Sequence, residues 1–295
     1  MVDWDSWRAT ADEHVKDKGV WFGLLNENWE PIATLSLSPS DVSEVNTRLA
    51  SPELSLDHDG MKLGGVSTMV DELIAPDLGT FDEQGRFEAS NIVGRSIGVQ
   101  RGGTRQAYFI PYVDAKGEKM PETLHVESSG LMSLLDATPC PSVPESWRGG
   151  FEVRTANAAG TYKTPREYSL VEFATRADGY TVSGSAESAI RTVVQDSIDA
   201  VMRHMGWERP HMVVDFSSSG VDSPDAMIRV EDDFILPTVQ ETARIAGVGI
   251  SADLWWPGDD PVITRVAPQS DETVLSTWDH PVAVIRINQL VSDDE

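Results

Sequence analysis

Hydrophobic residues recur along the chain either at every second position, as in strands, or at spacings of three and four, as in helices. The strand pattern dominates the first half of the chain. Apolar residues alternate with polar ones, or form short apolar blocks, in segments bounded by Gly, Pro, Asn or Asp, which is typical of strands. The predicted strands of this half cover 20–25, 29–37, 43–49, 52–58, 96–101, 106–110 and 123–127, with short helices at 67–74 and 131–135. If the polar N-terminus is helical, Trp4, Trp7 and Ala11 share one face, which suits either a docking arm or a helix packed on its own domain.

The second half contains the clearest helical periodicity. Apolar residues recur at spacings of three and four from Ala186 to Met205, with serines available as caps before them and Gly206 at the end. A second predicted helix begins at Pro237 and ends at Gly247. Predicted strands cover 211–216, 248–256, 262–267 and 282–290. The whole pattern predicts an α+β fold that is mostly β.

A proline-rich stretch interrupts both patterns near the middle of the chain. It contains three prolines between 139 and 144 and ends in Gly149-Gly150, a composition typical of linkers. We therefore predict a mostly β domain with a short helical insert over 1–138, a linker over 139–150, and an α/β domain ending in β-strands over 151–295.

Composition and charge narrow the classes of function. The 295 residues are 40% hydrophobic, which is enough to build a core, and 23 Lys+Arg against 48 Asp+Glu give a net charge of −25. Clustered cations are needed to bind phosphate backbones or anionic lipids, so this charge argues against both partners. The single cysteine, Cys140, cannot form an intramolecular disulfide or a multi-cysteine zinc site. No apolar run reaches the ~18–20 residues of a membrane span, and the acidic start predicts synthesis without a leader, in the cytoplasm.

Motifs that carry chemistry are not found in the sequence. It has no P-loop, no His-Glu-x-x-His and no Cys-x-x-Cys. The segment 247–252 matches the letters of a dinucleotide-binding fingerprint, but it follows a helix and precedes a strand, the reverse of the order that the mechanism requires. We interpret Gly247 as a helix C-cap. We predict no catalytic, cofactor-binding or metal-binding residue, and we expect that the protein is not an enzyme and needs no cofactor.

Two groups of side chains are candidates for protein contacts. A local basic cluster around Gly102-Gly103 suits either contact with an acidic patch on a neighbouring copy or a plain hairpin turn with solvated arginines. Tryptophans suit subunit contacts because Trp is enriched at interface hot spots, although we interpret Trp256 as a core residue. The interaction candidates are Trp4, Trp7, Arg95, Arg101, Arg105 and Trp255.

Three passages together resemble a known family. The first couples Trp21–Leu37 to Val45–Leu56, and it resembles the opening of tail-tip (baseplate hub) proteins of long-tailed bacteriophages, where a β stretch, a break and Leu-Ser-Leu lead into the tube-like barrel. The second runs through Ile97–Gly103, Ala107–Ile110 and Leu124–Leu135. It is similar to the family's step in which paired strands lead to a short helix with a Gly-Leu start.

The third passage is Ala189–Gly206, followed by a strand and then Pro237–Trp256. It is similar to the later α/β portion of minor tail proteins from phages of actinobacteria. The resemblance implies small β-barrel-like and α/β subdomains, with 1–138 as the ring-forming hub domain. It also implies a ring, commonly a homotrimer, that closes the tail tube at the virion tail tip and opens for DNA ejection.

The partners implied by the resemblance are other copies of the chain, distal tail and tail-tube proteins, and tail fibre or receptor-binding proteins. DNA passes the ring without specific binding, and the protein does not insert into a membrane. An acidic lumen agrees with this role because like charge prevents DNA from sticking. No catalytic residue is carried over, since the family pattern contains none.

Two other classes of function stay open. One is a hydrolase acting on cell walls or carbohydrates through acidic residues such as Asp215, Glu231 or Asp233. That mechanism needs two carboxyl groups about 5–10 Å apart in a cleft. The other is a soluble adaptor or binding module.

Overall fold

The structure is 42% strand and 24% helix, which confirms the predicted α+β, mostly β class. The computed structural model describes residues 2–38, 41–45, 49–62, 65–74, 80–81, 84, 87–88, 94–118, 122–174 and 179–291. Within these ranges the strands form several small sheets, and none of the sheets is closed into a barrel. Residues 46–48 of the first family-like passage lie outside the described ranges.

The chain divides into two compact units whose boundaries differ from the predicted domains. The first unit combines residues 1–133 with two later segments, 252–260 and 277–283. The second unit takes residues 134–251, 261–276 and 284–295. The two later segments belong to the first unit because they contact residues that are distant in sequence. The local pattern of hydrophobic and polar residues contains no signal for such contacts.

The first unit is built on a seven-stranded antiparallel sheet. The elements of this part of the chain are α1 (Trp4–Lys18), β1 (Trp21–Leu25), β2 (Pro31–Thr34), β3 (Val42–Val45), β4 (Glu53–Asp59), β5 (Met61–Lys62), β6 (Gly65–Val66), α2 (Thr68–Leu73), β7 (Thr80–Phe81), β8 (Phe87–Glu88), β9 (Ser96–Arg101), β10 (Thr104–Lys116) and β11 (Thr123–Gly130). The strand order of the sheet is β2-β1-β9-β10-β11-β4-β3, and two small hairpins, β5–β6 and β7–β8, accompany it.

One face of this sheet carries the main hydrophobic core of the unit. Alternation along β4 and β11 directs every second side chain inward, and α2 packs its apolar residues against the same cluster. The Ser67 hydroxyl caps α2 by accepting a hydrogen bond from the backbone N–H of Val70. The buried cluster contains Val20, Phe22, Leu24, Leu35, Leu37, Leu54, Leu56, Met69, Val70, Leu73, Ile97, Val99, Tyr108, Leu124 and Val126.

The second unit contains two longer helices and several two- or three-stranded sheets. The remaining elements of the chain are α3 (Ser133–Ala137), β12 (Pro139–Cys140), a 3-10 helix (Pro144–Ser146), β13 (Phe151–Asn157), β14 (Gly160–Ser169), β15 (Thr181–Ser185), α4 (Ala186–Met205), β16 (Met212–Asp215), β17 (Asp225–Arg229), β18 (Asp233–Phe234), α5 (Ile235–Ala246), β19 (Val248–Trp255), β20 (Val262–Arg265), β21 (Thr273–Ser276) and β22 (Val282–Gln289). Their strands pair in the orders β12-β18, β13-β14, β15-β17, β16-β22-β19 and β20-β21.

Local capping chemistry explains where α4 and α5 begin and end. Helix α4 covers the predicted range, with the Ser185 hydroxyl accepting from the backbone N–H of Ser188 and Gly206 left-handed at φ 68°. Helix α5 begins at Ile235, two residues before the predicted Pro237, and ends at Gly247 with φ 73°. Gly247 is therefore the C-cap that the sequence predicted.

The segment predicted as a linker is folded into the second unit. Strand β12 pairs with β18, and Cys140 is fully buried. The Ser142 backbone N–H and hydroxyl both donate to the Asp232 carboxylate, at 2.8 and 2.7 Å. Because Cys140 is buried and Ser142 has polar partners within the unit, the start of this segment is packed despite its linker-like composition.

Candidate interaction surfaces

The indole rings of Trp4, Trp21 and Trp256 pack together in the first unit, and Trp256 contacts both of the others. The Trp256 side chain is fully buried, as predicted, and its ring centroid lies 5.6 Å from that of Trp21 and 5.7 Å from that of Trp4. Its Nε1–H donates to the backbone carbonyl of Trp29 at 3.2 Å. Helix α1 thus uses Trp4 to pack within its own unit, the second of the two roles that its sequence suits.

Arg105 is the charged member of this cluster. Its side chain is buried, and its guanidinium lies 3.9 Å from the Trp256 ring centroid, a cation–π geometry. It donates to Asp259 at 2.7 Å and to the Gln100 side chain at 3.0 Å. Burial lowers the pKa of Arg105, and the neighbouring Asp259 carboxylate opposes that shift. Arg105 is therefore an internal structural residue, neither a solvated turn arginine nor a surface contact.

The other two predicted arginines also have acidic partners within the first unit. Arg95 lies 2.8 Å from Glu72 and 3.4 Å from Glu27. Arg101 pairs with Glu44, whose carboxylate also accepts a hydrogen bond from the Tyr108 hydroxyl. The three arginines thus pair with different acidic residues. The hairpin turn predicted at Gly102-Gly103 does connect β9 to β10.

The remaining tryptophan candidates are also engaged in the first unit. Trp255 is 5% exposed, packs edge-on against Trp278 at 5.0 Å, and donates from Nε1 to the Asp260 carbonyl at 2.9 Å. Trp7 is half-buried on α1. Residues predicted to contact partners therefore contribute mainly to packing within the chain.

The outer face of β4, β10 and β11, opposite the hydrophobic core, is acidic. His125 lies between Asp57 and Asp114 across the strands, and its Nδ1 is 2.8 Å from Asp57. The hydrogen bond to Asp57 raises the pKa of His125. We call this surface the acidic sheet face and define it by Glu53, Asp57, Asp59, Asp114 and Glu127.

A groove of about 350 Å³ lies on the acidic sheet face at the β3 end. Its lining combines Glu53 and Glu127 with serine hydroxyls and the apolar side chain of Val45. Val45 is 55% exposed, and Tyr112, which pairs with Glu127 across the strands, is 57% exposed. Carboxylates beside exposed apolar groups are typical of a surface that receives a basic and aromatic partner.

The second unit contains buried ion pairs around α4. Glu187 pairs with Arg191 at 2.8 Å, and both side chains are less than 10% exposed. Asp196 pairs with Arg265 and also accepts from the Tyr180 hydroxyl, and burial is the main cause that raises the pKa of Tyr180. Buried charges of this kind are tolerated only when they are paired, so this network is part of the core of the unit.

The three carboxylates named for a hydrolase occupy different environments. Asp215 on β16 is buried and pairs with Arg286 at 2.5 Å, and it also accepts from the backbone N–H of Ser217 at 2.8 Å. Glu231 and Asp233 are exposed. Among the described residues, no group of three or more His, Cys, Asp or Glu is arranged to hold a metal ion.

The hairpin formed by β13 and β14 is the most exposed regular element of the second unit. Every residue of β13 and every residue of β14 except Tyr162 is exposed, although the hairpin contains aromatic and aliphatic side chains. Phe151 and Val153 are 52% and 57% exposed, and Tyr168 is 38% exposed. Side chains of this size normally bury at least one face of a two-stranded sheet, because an isolated hairpin is marginally stable in water.

One face of this hairpin alternates arginine and tyrosine. The Arg166 guanidinium lies 4.2 Å from the Tyr162 ring centroid, and the Arg154 guanidinium lies 5.3 Å from that of Tyr168. Arg154 also donates to both carboxylate oxygens of Glu152, at 2.8 and 3.1 Å, and these bonds lower the pKa of Glu152. We call Arg154, Tyr162, Arg166 and Tyr168 the Arg–Tyr face.

The sequence reasoning did not predict this hairpin, which begins directly after the segment predicted as a linker. Alternation does exist, since Phe151 and Val153 are separated by charged residues, and Asn157 to Gly160 has turn composition. Both faces contain charged residues, so no apolar stripe marks a buried side. The usable signal was the concentration of three cations and two tyrosines between 151 and 169 in an acidic chain.

Comparison with known proteins does not place the chain in a family. No protein-family model matches it, and no curated protein matches it significantly. In the described part of the chain, no helix combines the length and apolarity that a membrane span requires.

Proposed function

We propose that this chain is a structural virion protein of a bacteriophage tail tip. In this role, copies of a baseplate-hub-like minor tail subunit form a ring that closes the tail tube. The ring links the tube and distal tail proteins to fibres or receptor-binding proteins, and it opens for DNA ejection. The protein acts by assembly, and its partners are other proteins.

The observation that carries the proposal is the β13–β14 hairpin, whose aromatic and arginine side chains remain exposed in the isolated chain. Tyr and Arg are the residue types enriched where proteins bind each other. An element of regular structure with both faces exposed is suited to contact another protein, as an assembly subunit requires.

The order of elements in two of the family-like passages also supports the proposal. Within the second passage, β11 ends at Gly130 and the short helix α3 follows at Ser133. The third passage comprises most of α4, most of α5 and β19, and three strands, β16, β17 and β18, lie between the two helices where the resemblance implies one.

The net charge of −25 agrees with a lumen that DNA must pass. Acidic walls repel the phosphate backbone, so DNA is not retained during ejection.

The test is to locate the protein in purified phage particles. We expect mass spectrometry to detect it at a few copies per particle, and electron microscopy with an antibody to label the tail tip. Averaged images of labelled tips should contain a closed ring. Absence of the protein from particles whose other tail proteins are detected would overturn the proposal.

A further inference from the structure

We infer that the Arg–Tyr face of the hairpin in one copy binds the acidic sheet face of a second copy of the same chain. The inference rests on the proposed function, because it names the contact by which copies would assemble. It concerns two surfaces that the sequence reasoning did not identify.

The two surfaces are complementary in charge. The hairpin segment 151–169 holds three cations and two carboxylates, whereas the whole chain has a net charge of −25. The acidic sheet face holds five carboxylates, of which Asp114 pairs with Lys116 at 3.3 Å. His125 lies 2.8 Å from Asp57 and 3.6 Å from Glu127, but the two carboxylates are 84% and 63% exposed, so each can also receive a guanidinium.

Both surfaces also place apolar or aromatic area next to their charged groups. Tyr112 and Val45 expose apolar area beside the carboxylates, and the groove of about 350 Å³ lies between strands. Tyr162 and Tyr168 on the hairpin present flat rings next to their arginines. Tyrosine rings contribute contact area with little loss of conformational entropy, while Arg–carboxylate pairs fix the orientation.

The two surfaces differ from each other, so the contact is head-to-tail. Such a heterologous contact forms a closed ring when the rotation between neighbouring copies closes, and an open filament otherwise. Each copy in a ring then makes two contacts, one through its hairpin and one through its sheet.

The area of the hairpin limits how strong one contact between two copies can be. Ten residues of β14 span roughly 33 Å and two strands are roughly 10 Å wide, giving about 330 Å² on one face. A stable interface buries roughly 800 Å² on each partner. One contact is therefore weak, and closure of the ring supplies additional stability through effective concentration.

The experiment measures self-association of the full purified chain by sedimentation velocity from low micromolar to submillimolar concentration at low salt. We expect reversible association that Arg166→Glu and Glu127→Arg each weaken about tenfold or more. The double variant R166E/E127R restores the opposite charges across the contact, and we expect association close to that of the wild type.

Matched controls separate this contact from general charge effects. Lys163→Glu is the control for Arg166→Glu, because it reverses a positive charge on the same hairpin outside the Arg–Tyr face. Glu208→Arg is the control for Glu127→Arg, because it reverses a negative charge at an exposed position of the second unit. Neither control should weaken association. All four substituted positions are exposed, so circular dichroism should be unchanged throughout.

Three outcomes would overturn the inference. They are a wild-type chain that stays monomeric over the whole range, an equal loss in the controls, or failure of the double variant to recover. Binding of duplex DNA by the hairpin without self-association would likewise contradict it. The proposed function is judged separately by the presence of the protein in particles, so failure of one does not decide the other.

Discussion

Arg105 stabilises the first unit through three kinds of contact at once. It stacks on Trp256, pairs with Asp259 and binds Gln100, and its side chain is 7% exposed. Replacing Arg105 by Ala leaves the Asp259 carboxylate without its partner in a mostly buried position. Removing one partner of a buried ion pair is strongly destabilising. Because Asp259 is 26% exposed, we expect the free energy of unfolding to fall by about 3 kcal/mol, the lower end of the range for such pairs.

The measurement is the midpoint of urea unfolding followed by tryptophan fluorescence, which reports directly on the indole cluster. Arg244→Ala is the control, because Arg244 and Glu241 form a close but exposed pair whose loss should leave the midpoint almost unchanged. Equal shifts for the two variants would contradict the structural role assigned to Arg105.

Gly23 is needed because the Trp21 ring lies directly over it. A Cβ atom at Gly23 would lie 2.2 Å from the Trp21 ring, whereas a Cβ atom at Gly103 would meet nothing within 4 Å. We expect Gly23→Ala to destabilise the protein by about 2–3 kcal/mol through overpacking. Thermal unfolding should show this loss, with Gly103→Ala as a nearly neutral control; a neutral Gly23→Ala would mean that the ring can move aside.

At this scale the sequence identified residue types better than their roles. Trp256 was predicted to be buried because it ends an alternating strand. The partner of Arg105 could not be predicted, since Asp259 lies 154 positions further along the chain. Ion pairs over such separations are set by the tertiary fold, and no local period encodes them.

Helix α4 holds two carboxylates with different surroundings. Burial raises the pKa of Asp199 above its ordinary value of 3.8, despite a hydrogen bond from Gln195. Burial of the charged form therefore lowers stability at pH values above the folded-state pKa, and this loss disappears below pH 3.8. Asp196 instead has a buried arginine partner.

We therefore expect Asp199→Asn to raise the melting temperature at pH 7, with the difference from wild type closing as the pH falls below 4. Asp196→Asn should lower the melting temperature at pH 7, because Arg265 loses its partner. Melting temperatures of the three proteins across this pH range test the prediction. A destabilising Asp199→Asn at pH 7 would show that its carboxylate is stabilised by its surroundings.

Elements were predictable where the signals were local. The caps of α4 lie within a few residues of its ends, and its apolar stripe faces the interior of its unit, so its range followed from sequence. The β13–β14 hairpin has no buried stripe, and β15 and β17 are short, so hydrophobic alternation did not reveal them. The same exposure that hid the hairpin from the sequence reasoning makes it the candidate contact.

Charge affects the whole molecule as well as single sites. A net charge of −25 produces self-repulsion that favours expanded states, and salt screens it over about 10 Å at 0.1 M. We expect the melting temperature to rise by a few degrees as NaCl increases from about 10 to about 150 mM. An uncharged osmolyte at equal osmolality is the control, and a flat or falling melting temperature would contradict the prediction.

The composition of the first unit has a consequence for biosynthesis. Its sheet is complete in sequence at Gly130, but the residues that cover Trp21 come from 252–260. At about 5–20 residues per second, the ribosome needs on the order of 10 s to add the intervening segment. During that interval, and permanently in a chain released early, an indole-lined surface is open to chaperones and proteases. We therefore expect chains that end before residue 252 to be degraded faster than the full chain.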